Sequence, residues 1–225
     1  MILEKSMTPR DEDFLLSERY ASRPDRARVA AIFVIHEEIR RIPAAVSEPP
    51  LGEIRLQWWR EALDAVMREG GRRDHPAIDF LAANGGLSSV DRDRFERLID
   101  MRARLLYENE FRSFEDLRAF LRGAEAPLAS IALGEANEGV ERLCEAYALA
   151  RFAPVLAPRL SADAAACAGA LTDANAEAFT ALSPQHAGRI AFLALSRGYA
   201  VRPDGRAWPL AKRLDMFRAI LTGRI

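Results

Sequence analysis

The chain has 225 residues, 49% of them apolar, with 32 basic and 33 acidic side chains for a formal charge of −1. That length fits one large domain or two small ones, and the charge balance excludes a whole-molecule electrostatic footprint for nucleic acid. Two cysteines, Cys144 and Cys167, exclude a disulfide framework and point to a reducing compartment.

The first residues, MILEKSMTPRDED, are too acidic and too poor in apolar side chains for a signal peptide. Thr8-Pro9 reads as an N-cap with proline at the first helical position. Pro24 opens a second helix, with Val29, Ile32, Phe33, Ile35 and Ile39 at helical spacing, ending near Ile42. Pro49-Pro50 opens a third, closed by Gly70-Gly71, in which Trp58 and Trp59 point in different directions. A short helix follows between Pro76 and Gly85-Gly86, then a charged one from Ser89. Ser113 with Asp116 forms a weak capping box for the next. Further helices are expected at about 140–152, 161–171, 173–182, 184–199 and 209–222. Pro127 either kinks or breaks the chain.

No stretch alternates as a strand, no repeat has a fixed period, and the loops GGRRDH, NGGLSS and RPDGRA are too short for linkers. We expect an all-α fold of about ten helices forming a single domain over residues 1–225. The longest apolar run, VAAIFVI, is far short of the roughly 20 residues a membrane span needs.

Phosphate-loop, dinucleotide, HExxH and nucleophile-elbow motifs do not occur. His36, His75 and His186 are too scattered to suggest zinc, so no metal site is expected. The basic runs GGRR and MRAR read as solvated faces. One segment is harder to place. EEIRRIPA, residues 37–44, follows the apolar run directly with four charges and a proline.

The segment from Glu18 to Leu63, and above all VSEPPLGEIRLQWWREAL at 46–63, resembles the squalene/phytoene synthase family. It is most similar to the branch related to a mitochondrial complex I assembly factor. RLDMFRAILTGRI at the end resembles the close of the same branch, from which a complete chain is expected. The resemblance implies an all-α prenyl-synthase bundle around a central cavity. Active members join two prenyl diphosphates using Mg²⁺ held by two aspartate-rich motifs on facing helices.

Carried onto this sequence, the first motif falls on residues 40–44, and its three acidic positions hold Arg40, Arg41 and Ala44. The second falls on Arg159 and Asp163, leaving Asp163 as the one acidic position retained. A guanidinium in place of a carboxylate repels a divalent cation, at about 4 kcal/mol per unit charge for close contact at an effective dielectric near 20. Glu37 and Arg41, four apart, are expected to pair along the helix, and Pro43 to strain or end it. Two readings of EEIRR stay open: a solvated helix end, or a residual cavity lined by Glu37, Arg40, Arg41, Trp58 and Trp59 that holds an anion without metal.

The resemblance implies a divergent member without Mg²⁺-dependent prenyl transfer and with no catalytic residues. It would act as a binding or assembly factor for respiratory complex I, with complex I subunits or an isoprenoid or lipid as partners. A cytoplasmic place is expected, with peripheral contact at the inner membrane as an open option. No cofactor is expected. One alternative is an active head-to-head prenyltransferase that uses Mg²⁺ on carboxylates such as Asp100, Glu108 or Asp163; another is a lipid or isoprenoid carrier.

Overall fold

The computed structural model describes residues 7–67, 74–108, 110–202 and 208–225. Within these the chain is helical and contains no strand. The helices are α1 (Glu12–Ser17), α2 (Arg23–Ala45), α3 (Pro49–Val66), α4 (Pro76–Ala83), α5 (Ser89–Arg104), α6 (Phe114–Ala124), α7 (Pro127–Leu133), α8 (Glu138–Leu156), α9 (Ser161–Thr180), α10 (Pro184–Arg189), α11 (Ser196–Val201) and α12 (Pro209–Thr222). Short 3₁₀ turns at Glu18–Tyr20, Pro158–Leu160 and Ala191–Leu195 join some of them. No described helix is long and apolar enough to cross a membrane.

The apolar run of the sequence is the middle of α2. Ala30, Ala31, Ile32, Phe33 and Ile35 are fully buried on every side of that helix, so α2 is central rather than amphipathic. Helices α3, α4, α5 and α7 pack around it. Phe14 of α1 stacks on Phe33 of α2 with ring centroids 4.6 Å apart, and Phe192 meets both edge-on. Helix α8 lies along α9, and both carry alanine where they meet, which lets the backbones approach closely.

Several boundaries differ from the sequence expectation. The first helix starts at Glu12, not at Pro9, because the Asp11 side chain accepts from the Asp13 N–H and caps it. The second runs three residues past Ile42. Proline in the last turn removes one intrahelical bond, and the helix ends at Ala45. The third ends at Val66; Gly70-Gly71 and most of GGRRDH lie outside the described residues. Ser88, not Ser89, caps α5, accepting from the Asp91 N–H. The Ser113 cap forms as expected, from the Asp116 N–H at 3.2 Å.

The expected helices at 161–171 and 173–182 are one helix, α9. Thr172 is buried and donates back to the Ala168 carbonyl instead of capping a new start. The expected helix over 184–199 is instead α10, a 3₁₀ turn and α11. Its break follows Gly188, which packs directly on the Tyr20–Ala21 backbone. A Cβ at 188 would stand 2.3 Å from the Tyr20 carbonyl oxygen, a backbone atom that cannot swing aside. Gly188→Ala is expected to cost about 1–3 kcal/mol, read as a lower midpoint in urea denaturation at unchanged slope.

Pro127 breaks the chain rather than kinking it. Helix α6 ends at Ala124 and α7 begins at Pro127. Glu125 falls in the gap, buried, with its carboxylate turned into the bundle.

Candidate functional site

Arg40 and Arg41 are adjacent on α2 and therefore point about 100° apart. The structure separates them completely. Arg40 lines a cleft of 520 Å³ with α1, α5, α8, α11 and α12 around it. Arg41 is exposed and lines a second, smaller cleft of 290 Å³ with Glu38, Arg55, Trp58 and Trp59.

The expected Glu37–Arg41 pair is absent. Glu37 is buried, and its carboxylate accepts the backbone N–H groups of Arg10 and Asp11 at 2.9 and 3.0 Å. Burial raises its pKa above the usual carboxylate value, although these two bonds pull the other way. Glu37 thus docks the chain leading into α1 onto α2. The idea of one cavity lined by Glu37, Arg40, Arg41, Trp58 and Trp59 is corrected accordingly: Arg40 belongs to one cleft, Arg41 and the tryptophans to the other, and Glu37 to the packing between α1 and α2.

In the larger cleft Arg40 donates to Asp11 at 2.8 Å and lies over the Phe152 ring, 5.0 Å from its centroid. Arg151 of α8 reaches Asp11 at 2.9 Å and Asp13 at 2.7 Å. Lys212 of α12 bonds Asp13 at 2.8 Å and Glu12 at 2.6 Å. The hydroxyls of Tyr147 and Tyr199 donate to Asp13 at 2.8 and 2.7 Å, and Arg151 donates to Tyr147 as well. Four helices, α2, α8, α11 and α12, thus meet the start of α1 at the three consecutive acids 11–13.

Burial pushes the Asp11 carboxyl upward, but Arg151 and Arg40 more than offset this and hold it below the usual range. Burial raises both tyrosine hydroxyls, so they serve as donors. The three acids stand at the N-terminus of α1, where the helix dipole also favours negative charge.

A second buried group adjoins this one. Arg102 and Glu125 form an ion pair in which both side chains are almost wholly buried, and His36 Nε2 lies 3.0 Å from Glu125. Arg102 and Glu125 form part of the cleft wall. The run MRAR is therefore not a solvated face: Arg102 is in the core and Arg104 pairs with Asp116 at 2.7 Å. Burial, reinforced by Arg40 and Arg102, holds the His36 pKa well below its ordinary value.

His36 binds a proton in the unfolded chain below about pH 6.5 but not in the fold, so its contribution to stability is lost as pH falls through that value. We expect stability to drop between about pH 7 and about pH 5.5, by up to about 1.4 kcal/mol per pH unit, and His36→Leu to remove most of that slope in urea titrations.

Residues 7–151 match the squalene/phytoene synthase family model. The chain belongs to the squalene/phytoene synthase family. Its all-α architecture is that of the family, and no curated protein matches it. The match contains Asp11, Asp13, Arg40, Arg102, Glu125 and Arg151 but ends before α9 to α12.

The Mg²⁺ that the family implies requires free oxygen ligands. Here Asp11 is engaged by Arg40 and Arg151, Asp13 by Arg151 and Lys212, and Glu125 by Arg102. Among the described residues no three His, Cys, Asp or Glu side chains gather in a metal-holding group. The donor set does not fit Mg²⁺.

Arg159 and Asp163 do not face Arg40. Arg159 donates to the Phe111 carbonyl at 2.7 Å, and Asp163 is exposed on α9. The residues of α8 that do face Arg40 across the cleft are Arg151, Phe152, Val155 and Leu156, one to two turns earlier. Ala44 lines the same cleft beside Pro43. Asp100 pairs with Arg60, and Glu108 is exposed near Arg104 and Arg112, so neither joins Asp163.

Trp59 is buried and Trp58 half-exposed. Their rings meet edge to face at 5.0 Å, and each also meets His75. Cys144 is a buried thiol donating to the Glu125 carbonyl, and Cys167 is half-buried; both are free.

Sequence reasoning found Arg40 but missed Asp11, Asp13, Arg102, Glu125, Arg151 and Lys212. The available signal was DED just ahead of Phe14, three acids at a helix start.

Proposed function

We propose that this family member binds a ligand or partner through the Arg40 cleft without ionising a prenyl diphosphate, and acts as a binding or assembly factor. The observation that carries this reading is Arg40 at the first-motif position, ion-paired to Asp11, with Arg151 bridging Asp11 and Asp13. Charge that active members are expected to offer to metal is here consumed within the protein. The near-verbatim branch segment at 46–63 makes respiratory complex I the preferred assembly target.

The experiment has two arms. Purified protein is incubated with farnesyl or geranylgeranyl diphosphate and Mg²⁺, and no pyrophosphate release is expected; turnover at enzymatic rates refutes the reading. The gene is deleted and NADH dehydrogenase assembly measured; normal assembly and activity refute the complex I assignment alone.

A second reading rests on the cleft's apolar wall. Pro43, Ala44, Leu105, Phe152, Val155 and Leu156 are among its lining, and 520 Å³ falls in the usual range for small-molecule sites, roughly 300–1,000 Å³. An isoprenoid or lipid tail would fit there without chemistry. Native mass spectrometry of the purified protein tests this: a co-purifying lipid is expected, and its absence after gentle isolation counts against a carrier.

A further inference from the structure

Helix α12 has two apolar faces. One covers the bundle: Met216 and Ala219 are buried, and Lys212 beside them reaches Asp13. The other points away from it. Leu210, Leu214, Phe217 and Leu221 recur at i, i+4, i+7 and i+11 and fall within about 60° of helix arc. They are 68%, 64%, 51% and 68% exposed, and Trp208 just before the helix is 77% exposed. Four large apolar side chains aligned on the solvent side of one helix mark an interaction surface, not scatter.

The charges around this stripe are basic. By helix geometry Arg213 and Arg218 flank it on either side, and Arg224 follows the helix end. Arg218 and Arg224 also line, with Arg197, Arg202 and Asp215, a groove of 720 Å³ between α11 and α12. Arg202, Arg213, Arg218 and Arg224 form no ion pair among the described residues, in contrast to Arg40, Arg151 and Arg189, which do.

We propose that α12 and this arginine-lined groove dock the protein on an anionic phospholipid bilayer. The stripe would enter the headgroup boundary and the arginines would hold lipid phosphates. An apolar face bordered by cations is the pattern of a helix lying in a membrane interface, and each arginine near an anionic surface strengthens attachment about fivefold. Self-association through the same face would set Arg213 and Arg218 of two copies against each other, which disfavours a second copy as the occupant. The surface lies outside the family-matched residues 7–151 and is independent of the cleft reading.

The test is co-sedimentation of the full chain with phosphatidylcholine vesicles and with vesicles containing phosphatidylglycerol. We expect binding to the anionic vesicles that weakens as salt rises. The double substitution Leu214→Glu, Phe217→Glu is expected to reduce it roughly a hundredfold. Arg218→Gln with Arg224→Gln is expected to reduce it about 25-fold on anionic vesicles, with little change on neutral ones. Thermal melts monitored by circular dichroism establish that both variants fold, as exposed positions should permit. The proposal is overturned if the wild-type chain fails to bind anionic vesicles at low salt, or if neither variant weakens binding. It is equally overturned if sedimentation velocity shows a dimer that the Leu214/Phe217 variant dissolves while vesicles are ignored.

Discussion

Asp13→Ala is expected to lower the unfolding free energy by about 3–5 kcal/mol, the range for breaking a buried ion pair from one side. The reason is the number of groups left behind. Asp13 is fully buried and serves Arg151, Lys212, Tyr147 and Tyr199 at once. Without it Arg151 and Lys212 lose the counter-charge they share, keeping only Asp11 and Glu12, and two buried hydroxyls lose their acceptor. Helices α1, α8, α11 and α12 would lose their common anchor, so the loss should be cooperative in guanidinium denaturation rather than a local loosening.

The milder Asp13→Asn keeps the shape and removes the charge. It should raise the cleft's affinity for inorganic pyrophosphate, measurable by titration calorimetry, because Arg151 and Lys212 then lack part of their internal counter-charge. Wild-type stability in the alanine variant would mean that these contacts are replaced by water at no cost.

Glu125→Ala is the second large effect. Its carboxylate pairs with the buried Arg102, whose guanidinium carbon also lies 5.2 Å from the centroid of the Phe120 ring. An uncompensated guanidinium in the core again costs about 3–5 kcal/mol, a fall in melting temperature of about 10 °C for a chain of this size. Replacing both partners, Glu125→Leu with Arg102→Met, should recover most of the loss, because no charge is then left unpaired. If the double variant is as unstable as the single one, the loss comes from packing at the α6–α7 break rather than from charge. The pair also bears on the cleft: Arg102 and Glu125 are part of its wall, so the single variant should alter ligand binding as well as stability, and the double variant should separate the two.

The local sequence determined the helices. Proline at the second position of α2, the first positions of α3, α4, α7, α10 and α12, and serine caps at Ser88, Ser113 and Ser183 are local signals, and the structure uses them. Helical spacing of apolar residues suffices to exclude strands, and the family could be named from a contiguous block. Thr172 and Gly188 show where such reading stops. Whether a threonine caps a helix or back-bonds within one depends on what covers it, and whether a glycine ends a helix depends here on the Tyr20 backbone, far away in the chain.

The site was legible only at Arg40. That one residue stood out because its charge is wrong for the motif it occupies, a property of sequence alone. Its partners are Asp11 on α1 and, through Asp11, Arg151 on α8, and no spacing rule connects them. The same limit explains the misplaced pairs. Glu37 and Arg41 sit at good helical spacing, yet the chain leading into α1 offers the buried Glu37 two backbone donors, from Arg10 and Asp11. The second-motif register missed the cleft because α8 ends at Leu156: its last turns bring Arg151 and Val155 to the cleft that Arg40 lines, while Arg159 lies in the 3₁₀ turn beyond it and Asp163 on α9. Charge reversal at the first motif was written in the chain; which carboxylates that charge would meet was decided by the docking of α1 against α2 and α8, because long-range ion pairs follow from helix packing and not from neighbours in sequence.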